Sequence, residues 1–288
     1  AIIIVFGIRT WNGIMYNKEQ GQVIEVYAYQ FGWLVRYAGA DNELGEANYK
    51  LVSSTNPLGV ITDQSIQDTY NEIDTKVSGI DSDLKDNRNS NGDLLMPKSK
   101  ADKKLEELER LKRRKYRIEA AIDKREANKT AYASSDDDIV VQELHLVKGQ
   151  PYTFIFRSKD VIHCPWLPHF RAQINSVPGM ETSFKLTPTI TTEEMRNMPE
   201  VQEHYKNINV IHNERKRRIG EEEEKVLFDY VLLCNKICGA GHSNMQIKVV
   251  VETQDEFENW IENNGDKKRL TFSGQEVNWS ETKEQASL

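Results

Sequence analysis

Residues 21–37, GQVIEVYAYQFGWLVRY, alternate along an extended chain. Val23, Glu25, Tyr27 and Tyr29 fall on one side, and Ile24, Val26 and Ala28 on the other. Period-two alternation rich in β-branched and aromatic residues predicts strand. A second strand-rich block covers 139–156, IVVQELHLVKGQPYTFIF, with Lys148-Gly149-Gln150-Pro151 as its internal turn. Further strands are expected at 230–233 and 246–252. Short strands separated by turns, without β-α alternation, predict a mainly β sandwich or barrel.

Two segments break this pattern. Residues 41–137 are polar and lead into KSKADKKLEELERLKRRKYRIEAAIDKREANK, where Leu105, Leu108, Leu111, Tyr116, Ile118 and Ile122 recur near helical spacing. Between Lys98 and Lys129 there are 13 Lys/Arg against 7 Asp/Glu, an excess of +6. The stretch reads either as a partner-binding helix or as a solvated helical hairpin with one apolar stripe. Residues 188–225 form a second helical insertion, whose Arg/Lys run followed by four Glu suits a solvated face. A short helix is expected at 253–262, and the tail, 263–288, is weakly patterned. Without the insertions, about 110–150 residues of sandwich are left, the usual size of one domain.

The chain opens Ala1-Ile2-Ile3-Ile4-Val5-Phe6-Gly7-Ile8. Eight apolar residues fall well short of the ~20 a bilayer crossing needs. They read either as a core strand or as the last turns of a transmembrane helix over 1–16, with Trp11 and Tyr16 at the interfacial aromatic belt. The absence of a starting Met favours the second, and with it a missing N-terminal anchor in a lipid bilayer. A formal net charge of −7 on 288 residues argues against nucleic acid and suits a basic protein partner. Three cysteines are too few for a disulfide framework and are spaced like metal ligands.

Two of the three lie in CNKICGAGHSNM, residues 234–245, with the order C-x3-C-G-x2-H-x2-M. Thiolate, imidazole and thioether together form the soft donor set that suits copper. Zinc takes Cys and His readily, but a Met sulfur is a poor ligand for it. Met245 therefore distinguishes the metals. The set of Cys234, Cys238, His242 and Met245 lacks one nitrogen, and His163 in DVIHCPWLP can supply it if strand ends meet at one pole of the sandwich.

These two motifs, with Val177-Pro178-Gly179 and Gln30-Phe31-Gly32-Trp33, resemble subunit II of cytochrome c oxidase, the membrane-anchored CuA-bearing subunit of the haem–copper oxygen reductases. The resemblance covers 20–40, 138–187 and 226–262, and neither insertion takes part in it. It implies a cupredoxin-like Greek-key sandwich holding two copper ions. Cys234 and Cys238 would bridge them, His163 and Met245 would complete one, and His242 with the backbone carbonyl of Lys236 the other. It further implies that the chain takes electrons from cytochrome c, or a cytochrome c-bearing complex, near Phe31 and Trp33. These would pass to haem in oxidase subunit I, where oxygen reduction occurs, with other oxidase subunits as neighbours. The implied location is the bacterial inner (cytoplasmic) membrane, with the CuA domain on the periplasmic side.

The chain departs from that family in four places. Phe31 stands where the family has a Trp in the aromatic cluster. Lys236 stands where it has a magnesium-binding Glu, and Asn175 where it has an Asp, so a magnesium site is expected to be weakened or absent. Cys164 replaces a Ser and reads as a small buried residue. A thioredoxin-like copper chaperone also pairs C-x3-C with a His, but its His lies downstream and its cysteines sit amid β-α alternation. A structural zinc module of Cys234, Cys238, His242 and His163 would leave Met245 idle. A quinol oxidase subunit II would lack the copper ligands, and a nitrous oxide reductase CuA domain would lack the apolar opening.

Overall fold

The computed structural model describes residues 2–15, 21–39, 41–52, 56–88, 91–93, 95–127, 134–263 and 270–271. Tyr16 and nearly all of 263–288 lie outside them. The chain divides into two compact units, one built on 1–42 and 140–269 and one on 43–139.

In the first unit the alternating segment is a hairpin rather than one strand. β1 (Gln22–Tyr29) and β2 (Gly32–Tyr37) pair antiparallel, with Tyr29 opposite Gly32. Ile24, Val26 and Ala28 face the core and are fully buried. On the opposite face Glu25 is also buried, and it ion-pairs with Arg36 at 2.7 Å and Arg157 at 3.1 Å. A buried carboxylate persists only with such partners. The second block forms β3 (Ile139–Val141), β4 (Leu144–Val147) and β5 (Tyr152–Ser158). Three short strands, which the sequence pattern does not single out, follow: β6 (Pro165–Leu167), β7 (Ala172–Gln173) and β8 (Thr182–Leu186). β9 (Tyr230–Cys234) and β10 (Gln246–Glu252) follow, and the two-residue β11 (Leu270–Thr271) ends the set.

One sheet runs β11-β3-β2-β1-β5-β8, with β1 parallel to β5, and the other β4-β10-β9-β6-β7, with β4 parallel to β10. Tyr37 of the first sheet ties them together. Its hydroxyl donates to His145 O at 2.9 Å and accepts from His145 N at 2.7 Å. The architecture is the expected mainly β, cupredoxin-like sandwich.

Three helices lie in the same unit besides the N-terminal one. α1 (Ile2–Met15) is helical, not a strand, and Ile2, Ile3, Ile4, Val5, Phe6, Ile8 and Trp11 are all exposed on it. No helix among the described residues is long and apolar enough to cross a membrane. The segment 188–225 carries α4 (Thr192–Arg196) and α5 (Pro199–Ile219). α4 opens on a capping box between Thr191 and Glu194. α5 starts at Pro199 and ends at Gly220, whose φ of 77° is the left-handed conformation that terminates helices. α6 (Gln254–Asn263) packs Phe257 and Ile261 inward.

The second unit holds α2 (Asp63–Asp86) and α3 (Lys98–Ala127). α2 is not singled out by the sequence pattern, although Thr62 and Ser65 cap it reciprocally at 3.0 Å each way. The ion pairs Asp74–Lys115, Asp81–Lys112 and Asp83–Lys104 run in opposite chain directions, so the helices are antiparallel. Between them Leu51, Ile66, Ile73, Val77, Leu84, Leu108, Leu111 and Ile118 form one buried cluster, with Ile122 against it. Leu105 and Tyr116 are exposed, which corrects the stripe expected from spacing. Both lie off the angular sector that Leu108, Leu111 and Ile118 define.

The helical unit should depend on that stripe. Ile118→Ala should destabilise it by about 2–4 kcal/mol in denaturant unfolding, whereas Tyr116→Ala should change stability by less than about 0.5 kcal/mol. Equal effects from the two would contradict this packing.

Candidate metal centre

Alternation along β9 fixes the first ligand. Tyr230, Leu232 and Cys234 point inward and Val231 and Leu233 less so, so the last residue of the strand aims its thiol into the sandwich. β9 and β10 are antiparallel, with Leu233 opposite Gln246, and Cys234 N donates to Met245 O at 3.1 Å. The motif 234–245 is thus a hairpin loop closed at its base by its first and last metal-ligand candidates.

The upstream His arrives by strand pairing. β6 lies antiparallel to β9 with Pro165 opposite Cys234, and Asn235 N donates to Cys164 O at 2.9 Å. Two residues before Pro165, His163 exchanges backbone hydrogen bonds with Ser176 at 3.0 and 2.8 Å. His163 is fully buried, its Nδ1 3.8 Å from Cys234 Sγ.

The six expected groups therefore meet. Cys234 Sγ lies 3.8 Å from Cys238 Sγ and 3.2 Å from the Lys236 carbonyl oxygen. Cys238 Sγ lies 3.7 Å from His242 Nδ1 and 3.8 Å from Met245 Sδ. Both cysteines and Met245 are buried, and His242 is half-buried. His163, Cys234 and Cys238 have ligand atoms all within 4.8 Å of one another, the spacing of groups that could hold a metal. Burial pushes the Cys238 thiol up to about 11, reinforced by the hydrogen bond and charge of Cys234. Two adjacent sulfurs resist double ionisation unless a cation lies between them.

The sequence reading left out two supports, Asp160 and the Gln30 side chain. His163 Nε2 lies 2.9 Å from Asp160 Oδ1, which also accepts from Val161 N at 2.7 Å, while Oδ2 accepts from Gln30 N at 2.7 Å. Burial alone would raise the Asp160 carboxyl, but the His163 bond and these two N–H groups hold it below its usual value. With its proton on Nε2 toward Asp160, His163 presents the Nδ1 lone pair to the thiols. Gln30 also spans to the loop, its side-chain amide donating to Cys238 O at 2.5 Å. An Asp three residues before a candidate ligand was the available signal.

Trp33 is buried, donates from Nε1 to Met245 O at 3.4 Å and meets the His163 ring edge-on at 6.0 Å. It lies behind the ligands rather than on the surface. Phe31 is 41% exposed and lies over the loop glycines. A Cβ on Gly241 would come within 2.5 Å of the Phe31 ring, and one on Gly239 within 2.8 Å. Gly239 also has a φ of 144°. Gly241 is needed for ring contact rather than backbone freedom, a reason that spacing does not reveal. Cys164 is buried and outside the donor cluster, its thiol raised by burial and then by Cys234. Lys236 and Asn175 offer no carboxylate.

No protein-family model matches this sequence. It is 22% identical over 276 residues to a protein of Bradyrhizobium diazoefficiens named alternative cytochrome c oxidase subunit 2, covering 95% of this chain and 60% of the relative. It is 27% identical over 130 residues to cytochrome c oxidase subunit 2 of Thermostichus vulcanus, covering 45% of this chain and 28% of the relative. The chain therefore spans less than two thirds of the curated relatives it matches. Among solved structures, the periplasmic domain of subunit II of cytochrome oxidase (CoxB) of Bradyrhizobium japonicum matches with a TM-score of 0.36 and 12% identity, over 85% of this chain and 94% of that one. The named relatives bear out the resemblance to cytochrome c oxidase subunit II read from the motifs.

Phe31 and Gly241 should be coupled. Gly241→Ala should destabilise the protein by about 1–3 kcal/mol through overpacking, and Phe31→Ala in the same chain should recover most of that loss. Additive effects in a thermal double-mutant cycle would contradict the contact.

Proposed function

We propose that this chain is the copper-bearing part of a cytochrome c oxidase subunit II, relaying electrons one at a time from a cytochrome c to haem in subunit I. The observation that carries the reading is the convergence of two thiols, two imidazole Nδ1 atoms, a thioether and a carbonyl in one buried cluster.

That donor set fits a dinuclear copper group. Cys234, Cys238, His163, His242, Met245 and the Lys236 carbonyl would hold it. Bound there, the copper pair supplies a one-electron carrier whose thioether and carbonyl ligands tune its potential. A lone zinc would use the cysteines and histidines but leave Met245 Sδ, turned toward Cys238, without a purpose.

The chain's own residues set the conditions. Asp160 holds the imidazole proton of His163 at Nε2, leaving Nδ1 for the metal. Trp33 fills the space behind His163 and Met245 and keeps water from that side. Gln30 fixes the loop backbone at Cys238, so the ligands keep one arrangement whichever charge they carry. Such rigidity lowers the reorganisation that accompanies electron transfer.

On the outside, Phe31 and Ile162 are partly exposed and Ile237 is 87% exposed, all within or beside the ligand segments. An apolar surface of this kind suits docking of a redox protein. Phe31, at the surface and against the loop, is the group best placed to receive the electron, with Trp33 supporting the ligands beneath. Lys236, exposed where an acidic side chain would serve magnesium, supports a weakened or absent magnesium site. The exposed apolar helix α1 is consistent with lipid contact in the bacterial inner membrane, with the copper domain on the periplasmic side.

Purified oxidised protein should contain two coppers per chain and give a seven-line copper hyperfine pattern in low-temperature EPR. Met245→Leu should keep both coppers and the fold but shift the reduction potential and slow reoxidation. One zinc per chain with no EPR signal would overturn the proposal, and an unchanged potential in Met245→Leu would remove that residue from the ligand set.

A further inference from the structure

The cations of α3 divide into two kinds by what they meet. Lys104, Lys112 and Lys115 face α2 and pair with Asp83, Asp81 and Asp74. Arg110, Arg113, Arg114 and Arg117, at spacings of three and four, share another face and line a cleft of ≈ 490 Å³ with Tyr49 and Lys50. Arg125, near the end of the helix, meets neither set and pairs instead with Asp63 and Asp136.

Within the cleft the charge is almost uncompensated. Arg110 lies 4.0 Å from Glu107, and both are exposed, so that pair neutralises little. Among the described residues, Arg113, Arg114, Arg117 and Lys50 pair with no carboxylate. Arg114 Nη2 donates to Lys50 O at 3.2 Å and Val52 O at 2.9 Å, which aims its guanidinium without cancelling its charge. Lys50 Nζ sits 5.8 Å from the centroid of the Tyr49 ring, which is 80% exposed. Like charges at these helical spacings disfavour the helix by a few tenths of a kcal/mol each. A concave site that keeps five cations together against that repulsion is arranged for an anion.

We propose that this cleft binds a phosphate-bearing anion of more than one negative charge, either a soluble oligophosphate or an anionic lipid headgroup. Guanidinium forks pair bidentately with phosphate oxygens, and a tetrahedral phosphate can accept several forks from different directions. The cleft's size admits a small anion, whereas an acidic helix would need a longer basic face. The cleft belongs to the helical unit and shares no residue with the metal site, so its test is independent of the electron-relay reading.

Calorimetric titration of the full chain with tripolyphosphate should show saturable binding that weakens as salt rises. Arg113→Ala with Arg117→Ala should weaken it by about tenfold or more, and Lys104→Ala with Lys112→Ala should leave it unchanged. On the unaltered protein, tripolyphosphate should slow hydrogen exchange at 49–52 and 110–117. Flotation with phosphatidylcholine vesicles, with and without phosphatidic acid, separates the sources. Binding that needs phosphatidic acid and is competed by tripolyphosphate assigns the lipid headgroup. No such vesicle binding, alongside tight tripolyphosphate binding, assigns a soluble phosphate. No tripolyphosphate binding, unchanged affinity in the arginine variant, protection confined to other segments, or equal binding of hexaglutamate would overturn the proposal.

Discussion

The centre depends on one short stretch of strand pairing. β6 runs beside β9 with Pro165 opposite Cys234, and that register alone carries His163 to the thiols from a segment 71 residues away. A slip of one residue would turn Cys234 from the interior to the outside, because side chains alternate along a strand. The pairing is held on both flanks, by the Asn235–Cys164 hydrogen bond and by the two-way bridge between His163 and Ser176. The sandwich thus works as a jig, with most of the candidate ligands on the loop of one hairpin and the remaining His two residues before the strand next to it.

Around the ligands, charge and packing serve the same end. Burial, and after it the neighbouring Cys234, raises the thiol of Cys238, so a metal would have to displace a proton to bind there. Asp160 stays ionised because three N–H groups converge on it, and it sets which imidazole nitrogen faces inward. The β1–β2 turn supplies Gln30 and Phe31, which clasp the loop from outside, while Trp33 on β2 closes it from within.

Much of this was legible in the sequence, for physical reasons that can be named. β9, β10 and α6 were readable because each is a continuous periodic run with one buried face. The donor set was readable because metal chemistry restricts residue type and spacing together. The β1–β2 hairpin was hidden because Gln30 and Phe31 are not turn formers and the alternation runs on through them. β6, β7 and β8 are too short for a period to register, and β6 begins with a proline. α2 has a low apolar content and buries its stripe only against α3, so its pattern gains meaning from its partner. Gln30 and the reason for Gly241 are contacts across the fold that no local window contains, whereas Asp160 lies only three residues before His163 and could have been found from that spacing.

The most direct test of the central claim is anomalous diffraction at the copper absorption edge from crystals of the metal-loaded protein. Two copper peaks between the sulfurs of Cys234 and Cys238, flanked by Nδ1 of His163 on one side and of His242 on the other, are predicted. A single peak that appears at the zinc edge, or copper density that excludes His163, would contradict it.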